Sequence, residues 1–187
     1  KKIGIKSINL SLDTLDKNRF KQITRRDEFD KVYATLEKLI DEGFDTKVNM
    51  VVMANHNIED IIPMAALSID KAISIRFIEE MPFNGSSHAV ESTVLWDSQK
   101  IKKVLSDKFS LKKIEDPQNS TAVHYKIDRA KGNIGIIAAY TRSFCGSCNR
   151  IRLTAQGELR TCLYAKNGLD LKELLRKGDN NDTVAAA

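Results

Sequence analysis

The sequence predicts an α/β protein, and three observations carry that expectation. Polar and apolar residues alternate in three runs, 6–13, 47–53 and 73–79, with helix-period segments between them. Strands separated by helices build βαβ units around a parallel sheet. Further on, the runs 122–127 and 133–140 follow one another across Lys131-Gly132 with no helix between, the pattern of an antiparallel hairpin. The expected division is a portion of three βα units over residues 1–93 and an α+β portion over 94–187.

In the first strand, Ile8, Leu10 and Leu12 share one face, and Asn9, Ser11 and Asp13 share the other. A short helix is expected around 17–23. Residues 27–42 form the clearest helix: Phe29, Val32, Leu36, Leu39 and Ile40 recur at helical spacing, Asp27 stands ready to cap the start, and Gly43 follows the end. The second strand, 47–53, sends Lys47 and Asn49 to one side and Val48 and Met50 to the other. Asn57 is the expected cap of a helix over 59–69, with Pro63 in its first turn. The third strand, 73–79, places Ser74 and Arg76 together. Each strand thus carries a polar face. Strands buried on both sides of a parallel sheet read as continuously apolar, and ligands of α/β sheets gather at the C-terminal strand ends. Asn9, Ser11, Asp13, Lys47, Asn49 and Arg76 are therefore candidates for one polar cleft. A solvated or internally paired side chain is the plainer account of any one of them, but three strands showing the same pattern weaken it.

Residues 83–93, rich in Gly, Ser and Asn, read as a loop. An amphipathic helix over 97–109 has Ile101, Val104, Leu105 and Phe109 as its stripe. A turn at 116–121 and the hairpin follow. Asp170 is the expected cap of a last helix over 171–176, with Gly178 closing it and a frayed tail beyond.

Composition sets the outer limits. The chain of 187 residues is long enough for one real core, and its 42% hydrophobic and 29% charged residues suit a globular protein. A net charge of +5 leans toward anionic partners. No run of eighteen apolar residues occurs, so no membrane span is expected. No leader peptide is visible, and the thiols suit a reducing, cytoplasmic compartment. The chain starts without Met and leads straight into a strand, which reads as a piece of a longer protein.

All three cysteines lie in one stretch. Cys145 and Cys148 form a Cys-x-x-Cys knuckle, and Cys162 follows after thirteen residues. Residues 150–154 alternate, Ala155-Gln156-Gly157 reads as a turn with Gly supplying a positive φ, and 158–162 returns. A turn centred on Gln156 sets Cys162 opposite Arg150, beside Cys148, and gathers the three thiols. Arg150 and Arg152 share a face next to them. A disulfide would leave one cysteine over. Structural zinc usually wants a fourth protein ligand, and none of His56, His88 or His124 is spaced to supply it. A [4Fe–4S] cluster can rest on three thiolates with one iron open. Three close core cysteines are the remaining account. The arginines favour a cluster with an anionic ligand beside it.

The run 144–163, Phe-Cys-Gly-Ser-Cys-Asn-Arg-Ile-Arg-Leu-Thr-Ala-Gln-Gly-Glu-Leu-Arg-Thr-Cys-Leu, resembles the C-terminal cluster segment of the GTP 3′,8-cyclases, radical S-adenosylmethionine enzymes of molybdenum-cofactor biosynthesis. Asn9-Leu-Ser-Leu-Asp-Thr14, Lys47-Val-Asn49 and Ile75-Arg-Phe-Ile-Glu-Glu-Met-Pro82 look like successive barrel-strand motifs of that family, and the likeness runs from about Ile5 to Gly178. It implies the C-terminal part of an incomplete TIM-like radical SAM barrel with an α+β extension. It implies that Cys145, Cys148 and Cys162 hold a [4Fe–4S] cluster whose open iron faces the GTP base. Arg150, Ile151 and Arg152 match a GTP-binding segment, Lys47 a GTP-contacting lysine, and Arg76 a motif position of the cleft. Ser11 and Met81 match contacts to S-adenosylmethionine. The family reaction converts GTP to 3′,8-cyclo-7,8-dihydro-GTP through a 5′-deoxyadenosyl radical, and cyclic pyranopterin monophosphate synthase takes the product.

One departure bears on this. The family generates its radical at an N-terminal Cys-x-x-x-Cys-x-x-Cys cluster, and these 187 residues contain no such motif. They are therefore expected to be inactive alone, to keep the substrate-side cluster and much of the GTP site, and to self-associate as a homodimer through an exposed sheet edge. The rival from another class is a basic α/β module whose zinc knuckle grips nucleic acid; against it, no aromatic-interleaved basic patch is present. A third reading is a structural α/β piece with no metal and no nucleotide affinity.

Overall fold

The computed structural model describes residues 3–81, 96–141, 150–162, 165 and 167–177, which pack as two units, Lys1–Gly146 and Ser147–Ala187. The expected loop at 83–93, Cys145, Cys148, Gly178 and the tail lie outside the described residues.

The first unit is a mixed six-stranded sheet with helices. The chain runs β1 (Ser7–Ser11), α1 (Lys17–Thr24), α2 (Phe29–Asp41), β2 (Asp45–Val52), a 3₁₀ turn (Ile58–Asp60), α3 (Ile61–Asp70), β3 (Ser74–Glu79), α4 (Ser98–Lys108), β4 (Leu111–Lys113), β5 (Ala122–Ile127) and β6 (Asn133–Ile137). The strand order is β1-β2-β3-β6-β5-β4. β1, β2, β3 and β6 are parallel, and β5 and β4 continue antiparallel from β6. The expected βαβ units and hairpin are both present. Nothing in the local pattern indicates that β6 docks beside β3, because strand pairing is a long-range choice. One sheet consequently runs across the expected division at 93/94.

The core lies on one face of this sheet. Val48, Met50 and Val52 of β2, Ile75 and Phe77 of β3, Ile134 and Ile136 of β6, and Tyr125 and Ile127 of β5 meet Phe20, Leu36, Ile61, Met64, Ala65, Ile101 and Leu105 from the four helices. All are buried, each contributing about 1.5–3 kcal/mol if it is a full-sized aliphatic or Phe.

Several ends differ from the sequence reading. Asp16 caps α1 by accepting from Arg19 N, and Asp97 caps α4 by accepting from Lys100 N. Asp27 does not cap α2: its carboxylate takes the Lys21 ammonium at 2.8 Å, and Glu28 holds the cap position without a side-chain bond. Asn57 holds the N-cap position of the 3₁₀ turn, as expected, but without a side-chain capping bond. Fully buried, it accepts from Met53 N and donates to Asp13 O and Val51 O, tying the ends of β1 and β2 together. In the β5–β6 connection the left-handed residue is Arg129 (φ 60°), not Gly132. Gly132 is needed for a different reason: a Cβ there would sit 2.1 Å from Ile73 O and 2.7 Å from Lys71 O.

The second unit, in its described residues, is a three-stranded antiparallel sheet, β7 (Arg152–Leu153), β8 (Glu158–Arg160) and β9 (Leu169–Asp170), followed by α5 (Leu171–Arg176). Asp170 caps α5 by accepting from Glu173 N, as expected. β9 was not foreseen, because two residues are too few to show a period.

Candidate functional site

The sheet face opposite the core carries polar residues in two rows set by the register. Asn9, Lys47, Ser74 and Asn133 are mutual neighbours across β1, β2, β3 and β6, and the next row is Ser11, Asn49, Arg76, Gly135 and His124. Neighbours along a row are about 4.8 Å apart. The structure therefore brings together five of the six cleft candidates. Asp13 lies past the end of β1 and accepts from Val51 N at 2.8 Å; burial pushes its carboxyl up, with the Val51 N–H partly opposing.

The cations on this face are held differently. Lys47 Nζ donates to Asp45 Oδ2 at 2.5 Å and to Ser7 Oγ at 2.6 Å. The Lys47 hydrogen bond leads the effects that hold the Asp45 carboxylate below its usual range. Arg76 has no carboxylate bonded to it among the described residues. Burial holds its guanidinium below the usual value, and the Asp45 charge only partly offsets this. Two buried side-chain atoms find no hydrogen-bond partner among the described residues: Arg76 Nε, a donor, and Asn49 Oδ1, an acceptor. They belong to register neighbours. Such atoms are rare in native interiors, since each costs about 1–3 kcal/mol.

Two residues that sequence reasoning passed over complete the second row. Gly135 leaves room for the Arg76 stem, because a Cβ there would lie 3.3 Å from Arg76 Cγ and 3.2 Å from Ala122 Cβ. His124 is buried, with Nδ1 3.0 Å from Asp116 Oδ1, while its backbone N donates to the same oxygen at 2.7 Å. Their place beside Arg76 depends on β6 docking against β3, which the hairpin pattern alone does not reveal. Met81 is half-buried just past β3.

In the second unit, β7 and β8 pair Arg152 with Arg160 and Leu153 with Leu159. This register centres the turn on Gln156, as the sequence predicts, and Gly157 has the expected positive φ of 91°. The ladder is shorter than expected. Its last pair is Arg152 with Arg160, and the same count carried two residues further would set Cys162 across from Arg150. Arg150, Arg152 and Cys162 are exposed, and Ile151 is 65% exposed. A cluster on three thiolates needs reachable sulfurs gathered by the chain, and this register with an exposed Cys162 fits it. Among the described residues no group of three metal-ligating side chains is assembled, Cys145 and Cys148 lying outside them. Nor is any helix among them long and apolar enough to cross a membrane.

A helix-backed, mixed sheet with one polar face defines an α/β protein. A family model described as Molybdenum Cofactor Synthesis C matches residues 73–187, and the Radical SAM superfamily matches residues 1–67. The chain belongs to this molybdenum cofactor synthesis family. It is 37% identical over 184 residues to a GTP 3′,8-cyclase of Clostridium perfringens (strain 13 / Type A), covering 97% of this chain and 55% of that protein. It is 35% identical over 185 residues to the mitochondrial GTP 3′,8-cyclase of Arabidopsis thaliana, covering 98% and 47%. It is 37% identical over 178 residues to human Molybdenum cofactor biosynthesis protein 1, covering 95% and 28%. The chain spans about half the length of these relatives or less. None of these similarities supports a zinc-knuckle, nucleic-acid-binding module.

Proposed function

We propose that the chain supplies the C-terminal part of a GTP 3′,8-cyclase, converting GTP to 3′,8-cyclo-7,8-dihydro-GTP in molybdenum cofactor biosynthesis, and that these residues alone are inactive. The observation that carries the reading is the pair of buried, unpartnered atoms on one polar face, Arg76 Nε and Asn49 Oδ1, flanked by Ser11 and Lys47. A face that leaves a donor and an acceptor unsatisfied is prepared for a polar ligand. The sheet is read as part of a radical SAM barrel. Four adjacent parallel strands with helices on one face support this, together with the superfamily match over 1–67.

Residue roles are those the family resemblance implies at the matching positions. Ser11 and Met81 are assigned to S-adenosylmethionine. Lys47 and Arg76 in the first unit, and Arg150, Ile151 and Arg152 in the second, are assigned to GTP. Charge-assisted bonds to phosphate suit the cations, and Arg can bind two oxygens at once. Lys47 must exchange Asp45 for phosphate, so its net contribution is smaller than that of a cation without a carboxylate partner. Cys145, Cys148 and Cys162 would hold a [4Fe–4S] cluster, which when bound offers an open iron to a base nitrogen or oxygen. The division at 93/94 is proposed as one of function, with S-adenosylmethionine residues before it and cluster residues after. A homodimer is also proposed. β1 is the edge of the sheet, and Ile3 and Ile5 before it are 83% and 46% exposed; light scattering tests it. The product would pass to cyclic pyranopterin monophosphate synthase, and the work would be done in the cytoplasm.

The test is iron, sulfide and zinc content of protein made without oxygen, followed by GTP titration. About four irons and four sulfides per chain are expected, lost in Cys162→Ser. Zinc without iron, or wild-type iron in Cys162→Ser, would overturn the assignment.

A further inference from the structure

Glu79 breaks the pattern of its own strand. The helix-covered face of β3 reads Ile75, Phe77, Glu79, and all three are completely buried. A carboxylate in an apolar layer persists only where donors satisfy it. Glu79 Oε1 accepts from Ser98 N at 2.6 Å and from the Thr141 hydroxyl at 2.9 Å. Its Oε2 accepts from Tyr140 N at 2.9 Å and Thr141 N at 2.7 Å. No cation pairs with it among the described residues. Its charge is met by backbone N–H groups, one of them on the first residue of α4, where the helix dipole favours an anion.

These partners are not scattered. Glu79 ends β3, two residues before Met81. Ser98 is where the chain returns after residues 80–97. Tyr140 and Thr141 follow β6, and Cys145 comes four residues later in the sequence. A single carboxylate thus joins the end of β3, the first residue of α4 and the two residues that carry the chain away from β6. An apolar residue would fill the same volume but leave three backbone donors to find other partners, and the ends would separate.

We propose that Glu79 is a positioning residue, which pins the end of β3, the start of α4 and the residues that follow β6 to one point, so that the chain departs toward Met81 and toward Cys145 from fixed starting points. The proposal rests on the cluster reading above for its consequence, but not for its geometry. Glu79 itself touches neither ligand nor metal.

The experiment uses the full chain, loaded with iron and sulfide without oxygen, in wild type, Glu79→Gln, Thr141→Val and a control, Leu36→Ala, which opens the core elsewhere. Glu79→Gln keeps the shape and replaces an accepting oxygen by a donating amide. Amide exchange at Ser98, Tyr140 and Thr141 should accelerate about tenfold or more while Ile75 and Phe77 stay protected. Iron affinity per folded chain should fall about 3- to 10-fold, less than the 10- to 100-fold lost when a group bonded directly to a metal ligand is removed. Thr141→Val, which keeps the buried carboxylate, should move both readouts in the same direction by less, and decides the matter if Glu79→Gln does not fold. Leu36→Ala should lower the melting temperature and leave iron per folded chain unchanged. Wild-type exchange at the three amides in Glu79→Gln would overturn the proposal. So would full iron affinity in a variant as destabilised as Leu36→Ala. A wild type that takes up no iron would refute the cluster reading instead, and exchange at the three amides would then decide the anchoring role alone.

Discussion

Replacing Arg76 by Met should make the protein more stable and a worse ligand binder at the same time. Arg76 lies on a central strand, between Asn49 of β2 and Gly135 of β6. Its stem occupies the space that the missing Gly135 side chain leaves open, and Met carries a stem of similar length, so the packing survives. What disappears is a guanidinium that burial disfavours and an Nε with no partner among the described residues. A buried donor without an acceptor costs about 1–3 kcal/mol, and the half-exposed remainder of the group reduces that to about 1 kcal/mol. For a chain of this size the gain corresponds to a melting temperature higher by about 2–4 °C. The Asn49 acceptor is unpaired in both proteins and cancels. In the complex the sign reverses: a hydrogen bond from a charged group contributes about 1.5–3 kcal/mol, so GTP should bind roughly 10- to 150-fold more weakly. Thermal unfolding without ligand and calorimetric titration with GTP read the two halves. A destabilised variant with wild-type affinity would mean that the guanidinium serves the fold, and would remove Arg76 from the site.

Arg152→Ala should weaken GTP binding by about 1–3 kcal/mol and leave stability within about 0.5 kcal/mol, since the side chain is exposed; unchanged affinity in titration would exclude it. Gly132→Ala should cost about 3 kcal/mol or more in urea unfolding, because its Cβ would meet the Ile73 and Lys71 carbonyl oxygens, which cannot swing away as a side chain can. Asp116→Asn should lower the melting temperature at neutral pH, with the deficit vanishing in acid. Burial pushes the Asp116 carboxyl up, but Lys113 and the two His124 donors outweigh it and hold the group below its usual value. A depressed carboxylate contributes stability above its unfolded value of 3.8 that is lost as pH falls through the lower folded value. A deficit that persisted at pH 2 would refute this account.

What the sequence made legible follows from the range over which each signal acts. The polar face was readable because strand alternation is local: Asn9, Ser11, Lys47, Asn49 and Arg76 were assigned to it by counting in twos. The turn at Gln156 was readable because Gly157 demands a positive φ and both flanks alternate. Partners chosen across long separations were not readable. Nothing local says that Asp27 will meet Lys21, that Asn57 will bridge two strand ends, or that β6 will dock beside β3. With β6 unplaced, Gly135 and His124 could not be placed in the Arg76 row. Glu79 was visible as a carboxylate at a strand end, but its burial depends on Ser98, Tyr140 and Thr141, whose meeting is tertiary.

The two faces of the sheet divide the physical tasks. The helix side holds the aliphatic core, and the carboxylate set into its β3 face, Glu79, is satisfied by protein donors. The opposite side tolerates what a core would reject: a lysine beside an aspartate, a partly buried guanidinium and two unpaired atoms. The restraint on each cation sets what a ligand can gain from it. Lys47 already has Asp45, so a phosphate gains only the difference between two anions. Arg150 and Arg152 are exposed, where water and salt screen their attraction. The Nε of Arg76 has lost water and found no substitute among the described residues, so an acceptor placed there recovers a cost the folded chain is already carrying. Of the candidate cations, Arg76 should therefore show the largest binding loss on truncation and the weakest dependence on salt, although it lies on the strand whose apolar pattern, read alone, looks most like ordinary core.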